Sequence, residues 1–296
     1  MGRALAALLG LLAVAGCSSD HEPLDCAEVV EVPDQALREL LIGLVGAPAE
    51  ESGESGEGEA STGSGELVIH AADLAALTGL RAVNRGIVDL HGLECAQGLV
   101  SIGLAGNEVT DLGPLRRLPG LRELDLSENP VADLGPLARL ESLEVLVLKG
   151  TRARDLRPLR RLRALRHLDA SGVGVEDVRP LAELGALETL VLSRNAIRSI
   201  EALAGLGALF ALRLDRNKIE SIEALAGLSG LEHLVVAGNA IASIAGLAGL
   251  ARLRDLEVSD NALTSLVGAG AKPWLLELDA EGNALTGLAG LTGRSE

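Results

Sequence analysis

From residue 98 to the end, the chain repeats a 22-residue unit nine times without insertion or deletion, the units beginning at residues 98, 120, 142, 164, 186, 208, 230, 252 and 274. Residues 120–141, for example, read GLRELDLSENPVADLGPLARLE, and residues 186–207 read ALETLVLSRNAIRSIEALAGLG. Apolar residues recur at unit positions 2, 5, 7, 12, 15, 18 and 21. One unit of this length cannot bury its own apolar face, whereas stacked units bury a shared core. The period therefore predicts a solenoid.

The spacing within the unit predicts its local structure. Positions 5 and 7 are two residues apart, which is the period of a strand with one buried face. Positions 12, 15, 18 and 21 are three apart, which is the period of tight 3₁₀ turns. Each unit should therefore hold a short strand, a turn and a returning segment, and stacking should pair the strands in parallel.

Unit position 10 is a column of asparagines with two exceptions. A buried Asn can bond the backbone groups that the bend leaves unpaired in the interior, so we expect a structural column. Thr151 replaces part of this bonding and Val173 replaces none, which predicts a local weak point or change of curvature near residues 150–175. The asparagines are Asn107, Asn129, Asn195, Asn217, Asn239, Asn261 and Asn283.

These units resemble the leucine-rich repeat family, specifically its 22-residue internalin-like and phosphatase-regulator-like class. The resemblance implies an α/β solenoid, a right-handed superhelix with a curved parallel sheet on the concave face and a 3₁₀ or irregular convex side. Residues 76–97 are in phase but degenerate, with Arg85 at position 10. The stretch 32–41 reads as a helix with Asp34 as its N-cap, and it resembles the helical N-terminal cap of exported repeat proteins.

The N-terminus resembles a bacterial lipoprotein signal. Arg3 precedes an apolar run over residues 4–15, and Cys17 directly follows Ala15 and Gly16. The resemblance implies cleavage before Cys17, lipidation of Cys17 and, with Ser18 next, the outer membrane; the alternative is a plain secretory signal with an incidental Cys. The predicted segments are a signal peptide (1–16), a tether and helical cap (17–46), an acidic Gly/Ser/Glu stretch (47–66), a cap with a degenerate repeat (67–97) and nine repeats (98–296).

Composition excludes several functions. The 296 residues include 26 basic and 42 acidic side chains, a net charge of −16, and only 1% aromatic residues. Nucleic-acid binding is disfavoured because phosphate contacts need a basic face, and carbohydrate stacking is disfavoured because aromatic rings are so scarce. In an exported chain Cys26 and Cys95 could form a disulfide or remain separate thiols, because the sequence gives no distance between them.

The outward positions of the strands, 3, 4, 6, 8 and 9, should form the concave face. Position 3 alternates Arg and Glu, which predicts a charge ladder that supports strand pairing. Apolar exceptions predict an exposed strip for a protein partner, with Phe210 as an aromatic anchor; the alternative is that they are β-formers tolerated at exposed positions. The candidate contact residues are Val145, Val147, His167, Val191, Phe210, Arg213, His233 and Val235.

Two charge clusters stand out in the repeats. Residues 149–163 hold one Lys and six Arg, most of them on the returning side, where they would meet lipid headgroups, the acidic stretch 47–66 or solvent alone. Four acids on the last two strands would suit a basic partner, and a calcium site is disfavoured because no calcium-loop motif occurs. These acids are Asp255, Glu257, Glu277 and Asp279.

No motif indicates catalysis or a cofactor. His167 and His233 lie three strands apart, about 14 Å, which is too far for one metal. His167 and Asp169 share a face but lack a nucleophile. We therefore expect a non-catalytic protein-binding scaffold at the cell envelope, without cofactor or metal. The alternatives are self-association through the C-terminal end, where we expect Trp274 to give partial cover, and a regulatory subunit resembling phosphatase regulators.

Overall fold

The computed structural model describes residues 26–45, 68–270, 272–287, 290 and 291. Ten three-residue strands form one open, curved, parallel sheet in chain order. Each strand residue pairs with the residue 22 positions later, as Leu124 does with Leu146. The strands are β1 (Gly79–Arg81), β2 (Ser101–Gly103), β3 (Glu123–Asp125), β4 (Val145–Val147), β5 (His167–Asp169), β6 (Thr189–Val191), β7 (Ala211–Arg213), β8 (His233–Val235), β9 (Asp255–Glu257) and β10 (Glu277–Asp279).

The returning segments form a row of 3₁₀ helices on the opposite, convex side. Several begin where an Asp at unit position 14 accepts the backbone N–H two residues later, as Asp111 does from Gly113 at 2.8 Å. This Asx turn fixes the start of the helix, and Pro follows at its first turn in η2 to η5. The helices are η1 (Leu93–Cys95), η2 (Gly113–Arg117), η3 (Gly135–Arg139), η4 (Arg157–Arg161), η5 (Arg179–Leu181), η6 (Glu201–Leu203), η7 (Glu223–Gly227) and η8 (Ala245–Gly249).

The core is a stack of aliphatic columns between the sheet and the 3₁₀ row. The strand centres from Leu124 to Leu234 are at most 1% exposed, and the leucines of the 3₁₀ helices are equally buried. Phe210 and Trp274 are 42% and 62% exposed, so no aromatic ring enters the described core. The thin space between strand and turn suits Leu, Ile and Val, which explains the aromatic-poor composition. Trp274 is 62% exposed, and the partial cover expected of it at the C-terminal end stays a prediction.

The asparagine column bonds neighbouring units as the sequence predicts. Val109 N–H donates to Asn129 Oδ1 at 3.0 Å, and Asn129 Nδ2 donates to the carbonyls of Leu104 and Leu126 at 2.8 and 3.1 Å. Each Asn thus replaces backbone partners in two adjacent units at once. The other asparagines from Asn107 to Asn283 repeat this pattern.

The column is interrupted at two buried positions. The Thr151 hydroxyl donates to the Leu148 carbonyl at 2.7 Å, within its own unit. Val173 is 3% exposed and its side chain neither donates nor accepts a hydrogen bond. The strands β4, β5 and β6 nevertheless pair in unbroken register. The interruption therefore removes cross-unit side-chain bonds while leaving the sheet continuous.

A helical cap covers the N-terminal end of the core. Helix α1 (Gln35–Val45) buries Leu37 and Leu41, and the short helix α2 (Ala71–Ala75) buries Leu74. An antiparallel bridge joins Val29 to His70. The predicted helix is confirmed, although it begins at residue 35 and runs to residue 45.

Asp34 joins this cap to the first, degenerate unit. Its Oδ1 accepts the N–H of Leu37 at 2.9 Å, which is the predicted N-cap bond. Its Oδ2 accepts the N–H groups of Val88 and Asp89 at 2.7 and 3.1 Å. Partial burial acts to raise the Asp34 pKa, but the backbone N–H donors outweigh it and the pKa lies below its ordinary value.

A disulfide between Cys26 and Cys95 ties the N-terminal segment to η1, with the two Cα atoms 5.9 Å apart. The bond spans 69 residues of sequence and adds on the order of 4 kcal/mol in the chain-entropy account. Because Cys95 belongs to η1, which packs on η2, the segment is held at the convex row of the solenoid.

Candidate functional site: the concave face

The register of the sheet sets the geometry of the concave face. In β1 to β9 the central residue is buried and its two neighbours are exposed or half-buried, whereas in β10 the central Leu278 is half-buried. Since equivalent residues pair directly, side chains at unit positions 4 and 6 form two columns that cross the sheet, with strands about 4.8 Å apart. A partner lying on this face would contact several strands through these columns.

The charge ladder at position 3 forms as separate ion pairs. Arg122 binds Glu144 at 2.8 Å, and Arg166 binds Glu188 at 2.7 Å. Further along, Arg254 Nε lies 3.1 Å from Glu232. The arginine side chains are at least half exposed and the glutamates partly so, and each pair therefore contributes no more than about 1 kcal/mol. The alternation of Arg and Glu is interrupted at one position between Glu188 and Glu232, and both of these glutamates are held in ion pairs.

Phe210 occupies that interruption, between Glu188 and Glu232 in the same column. The residue is 42% exposed, and its ring packs edge-on against the His233 imidazole at 6.4 Å between ring centroids and an interplanar angle of 77°. His233 Nδ1 is in turn bonded to a carboxylate oxygen of Asp255. The contact holds the Phe210 ring on the concave side instead of in the core.

Polar side chains divide the predicted apolar strip. In the position-6 column Val147, Val191 and Val235 alternate with Asp169 and Arg213. The valines are half-buried and Arg213 is exposed. The apolar surface is therefore a set of separate patches, of which the one around Phe210 on β6 to β8 contains the aromatic ring.

The eight candidate contact residues fall into two groups on this face. Val191, Phe210, Arg213, His233 and Val235 lie together on or beside β6, β7 and β8. Val145, Val147 and His167 lie on β4 and β5, further toward the N-terminus.

Asp215 adds polar support that was not predicted from the sequence. Its carboxylate accepts the Ser193 hydroxyl at 2.5 Å and lies 4.0 Å from Arg213 Nε. Its spacing of 22 residues from Ser193 is the signal that reveals this contact.

The acidic cluster lies at the C-terminal end of the same face. Asp255 pairs in register with Glu277, and Glu257 with Asp279, so the four carboxylates form two adjacent columns. Within the described residues, no group of three or more His, Cys, Asp or Glu side chains is arranged to hold a metal ion. Repulsion between these carboxylates favours contact with basic groups.

Two further parts of the structure bring polar groups together or enclose space. The Asp169 carboxylate accepts the N–H and hydroxyl of Ser171, and so it is held by its own loop beside His167. A cavity of about 410 Å³ lies against α1, lined by Ala36, Glu39, Leu40, Gly43, Leu44 and Arg85. In the first arrangement the Ser171 hydroxyl donates to Asp169 and not to the His167 imidazole, and the lining of the cavity contains no Ser, Thr or Cys.

Three predictions from the sequence lie outside the described residues, namely the signal peptide 1–16, the lipidation site Cys17 and the acidic stretch 47–66. Among the helices that the structure does describe, none is both long and apolar enough to cross a membrane.

Comparison with known proteins identifies the repeats. The family "Leucine Rich repeats (2 copies)" matches residues 97–139. The structure of internalin C2 from Listeria monocytogenes is 31% identical, with 78% of this chain and 94% of that chain covered and a TM-score of 0.67. A leucine-rich repeat protein of Leptospira interrogans is 24% identical over 73% of this chain and 57% of that chain, with a TM-score of 0.67.

The same fold occurs in a receptor. The plant peptide hormone receptor RGFR1, solved in complex with RGF2, is 19% identical over 64% of this chain and 33% of that chain, with a TM-score of 0.58. Comparison with curated protein sequences finds no match.

The chain belongs to the leucine-rich repeat family and has the internalin-like form of its solenoid. The predicted family and fold class are confirmed. Homologous scaffolds of this family are protein-interaction domains and are typically non-catalytic.

Proposed function

We propose that this chain is a non-catalytic scaffold at the bacterial cell envelope that binds a protein partner through its concave face. The observation that carries the proposal is Phe210. It is the exposed aromatic ring of this face, it stands where the Arg–Glu ladder is interrupted, and His233 holds it outward. Aromatic anchors surrounded by paired polar groups are typical of the residues that dominate protein interfaces.

The surroundings of Phe210 support protein recognition by shape and charge. Val191 and Val235 give small apolar surfaces on the flanking strands, and Arg213 stands between them. The acidic columns of β9 and β10 begin on the next strand after His233. A partner segment that places an apolar side chain on Phe210 and a basic side chain beyond His233 would complement both surfaces.

Site-specific photo-crosslinking in the source organism tests this proposal. A photoreactive residue replaces Phe210, and the control replaces Ala226, an exposed residue of η7 on the convex side. A discrete protein adduct from position 210 alone supports the proposal, and mass spectrometry identifies the partner. An adduct with a second copy of this chain would favour self-association instead. Equal labelling from both positions would exclude the concave face as the main contact.

The anchor is a separate part of the proposal. The apolar run 4–15 followed by Ala15, Gly16 and Cys17 supports signal cleavage and lipidation of Cys17. Several acyl chains on one Cys hold a protein on a membrane far more firmly than one chain. Cys17→Ser should move the protein from the membrane fraction to the soluble fraction, with Ser19→Ala as a neighbouring control that keeps Cys17 and the Cys26–Cys95 disulfide intact. Unchanged fractionation of Cys17→Ser would refute the anchor while leaving concave binding open.

A further inference from the structure

The convex side is divided into two halves of opposite character. The 3₁₀ helices η2, η3 and η4 together contain six arginines and no acidic residue. The equivalent helices η6, η7 and η8 contain two glutamates and no basic residue, and are otherwise built from Ala, Gly and Leu. The scaffold is the same in both halves, so packing does not require this difference. The arginines are Arg116, Arg117, Arg139, Arg157, Arg160 and Arg161.

These arginines form one continuous surface, which we name the convex arginine patch. The three helices are neighbours in the row, with η2 packed on η3 and η3 on η4. Arg116 and Arg160 occupy unit position 19, and Arg117, Arg139 and Arg161 occupy position 20, so they project from the same end of each turn. All are exposed except Arg117, which is half-buried. The patch is strongly positive in a chain whose net charge is −16.

Two of the six arginines have partners, since Arg157 pairs with Asp155 and Arg139 also makes a polar interaction, whereas Arg116, Arg117, Arg160 and Arg161 form no ion pair among the described residues. Asp111 and Asp133 lie at the opposite end of their turns, where each accepts a backbone N–H at 2.8 Å. Asp155 forms a bidentate pair with Arg157, with contacts of 2.8 to 2.9 Å. Glu141 and Glu183 follow at the flank, and Glu183 binds Arg163 at 2.7 Å.

The chemistry of the patch points to phosphate groups on a surface. It is built from arginine without lysine, and a guanidinium binds phosphate oxygens in a two-pronged arrangement that an ammonium cannot make. The exposed large hydrophobic side chains of the structure all lie outside residues 113–163. The patch therefore lacks the apolar anchor of a protein interface, whereas anionic headgroups attract basic side chains by charge alone.

The disulfide places the N-terminal segment beside this patch. Cys26 is bonded to Cys95 in η1, and η1 packs on η2, which carries Arg116 and Arg117. From Cys17 to Cys26 the chain can span no more than about 30 Å when fully extended. A lipid on Cys17 would hold the η1–η4 end of the convex row within that distance of the bilayer.

We infer that the convex arginine patch docks the solenoid onto an anionic phospholipid surface. The membrane would then contact the convex side near the cap, and the concave face with Phe210 would be turned away from it toward a partner. The orientation part of this inference rests on the proposed lipid anchor. The lipid contact itself does not, because it depends only on the arginines of η2 to η4.

Vesicle binding of the unlipidated full chain tests the inference. The full chain with Cys17→Ser is mixed with phosphatidylcholine vesicles, or with vesicles of phosphatidylcholine and phosphatidylglycerol at about 7:3, and sedimented. The measured quantity is the ratio of bound protein on anionic to neutral vesicles, which cancels any contribution of the apolar run 4–15. Replacing Arg116, Arg117, Arg160 and Arg161 by Gln should lower this ratio at least about tenfold, because each basic residue near an anionic surface adds to binding. High salt should lower the wild-type ratio similarly.

A matched variant separates the patch from net charge. Replacing Arg194, Arg198, Arg216 and Arg252 by Gln removes the same four charges from exposed positions outside η2 to η4. This control should change the ratio less than about twofold, and thermal unfolding must show both variants folded. An equal loss in both variants, or none in the patch variant, would overturn the inference. If the wild type gains binding only after the glutamates of 50–66 are changed to Gln, the patch belongs to that acidic stretch and the inference also fails. Neither result bears on crosslinking at Phe210.

Discussion

At the scale of single residues, each asparagine of the column is a hydrogen-bond centre for two units. Asn217 accepts the Ile197 N–H at 3.1 Å and donates to the carbonyls of Leu192 and Leu214, both at 2.9 Å. Asn217→Ala removes the hydrogen-bond partner of these three backbone groups, so we expect a loss of about 1–3 kcal/mol in the free energy of unfolding. Urea titration measures it, with the adjacent exposed Lys218→Ala as control. A loss no larger than that of the control would contradict the role of the column.

Lys272 stands in a column that is leucine in the preceding units, at unit position 21. It is 4% exposed, and its Nζ donates to the carbonyls of Leu247 and Leu250 at 2.5 and 3.3 Å. Burial lowers the pKa of this amine. Because the folded pKa lies below the unfolded one, the amine destabilises the fold at neutral pH, and this penalty declines as pH rises from the folded pKa to the ordinary value of 10.5, above which it is lost.

Lys272→Leu should therefore raise the free energy of unfolding by about 1–3 kcal/mol at neutral pH. The gain over the wild type should narrow in alkaline solution, as the wild-type amine loses its proton in both states. Urea titration at neutral and alkaline pH measures this, and Lys218→Leu on the exposed surface should show neither effect. A destabilised Lys272→Leu would mean that the two carbonyls depend on the Nζ donor more than the core gains from leucine.

At the scale of the elements, the features that recur in every unit are those that the sequence predicts. The strand centres and the Asn column are predictable because nine in-phase copies show which spacing is buried. The helix α2 (Ala71–Ala75) is too short to show a period, and Lys272 was missed because lysine is normally a surface residue. The disulfide between Cys26 and Cys95 could not be predicted, because the sequence does not give the distance between the two residues. The contact of Phe210 with His233, by contrast, is predictable from the sequence, because both residues lie at concave positions in neighbouring units.

The cap helix α1 depends on the ionised Asp34 carboxylate. The pKa of Asp34 is lowered in the folded state, so its contribution is present above the unfolded value near 3.8 and is lost as pH falls through the folded pKa. Asp34→Ala should cost about 0.5–2 kcal/mol at neutral pH and less in strong acid, where the wild type has also lost the charge. Thermal unfolding at both pH values measures the difference. Asp73→Ala, an exposed acid of α2, is the control, and an equal loss from Asp34→Ala at both pH values would refute the carboxylate role.

At the scale of the whole molecule, a solenoid is a row of units held by nearest-neighbour contacts, so a weak junction affects all that lies beyond it. Within residues 142–185 the side chains at positions 151 and 173 do not bond the preceding unit, whereas Asn195 bonds both Gly174 N–H and Val175 N–H. Two contacts between units therefore lack these side-chain bonds. The first, between residues 120–141 and 142–163, lies within the convex arginine patch, and the second, between residues 142–163 and 164–185, lies between the patch and Phe210.

Hydrogen exchange should detect local opening at these two contacts. The N–H groups of Val109 and Ile197 donate hydrogen bonds to the side chains of Asn129 and Asn217. The equivalent N–H groups of Val131 and Ala153 have no Asn to accept them, and they should therefore exchange faster. Val173→Asn would restore an acceptor for Ala153, so it should slow exchange at Ala153 and raise the free energy of unfolding by about 1 kcal/mol. Val175→Asn, placed in the core without such partners, should destabilise. Uniform exchange along the solenoid, unaffected by Val173→Asn, would show that sheet pairing alone sets the stability of these two contacts and that the units on either side move as one body.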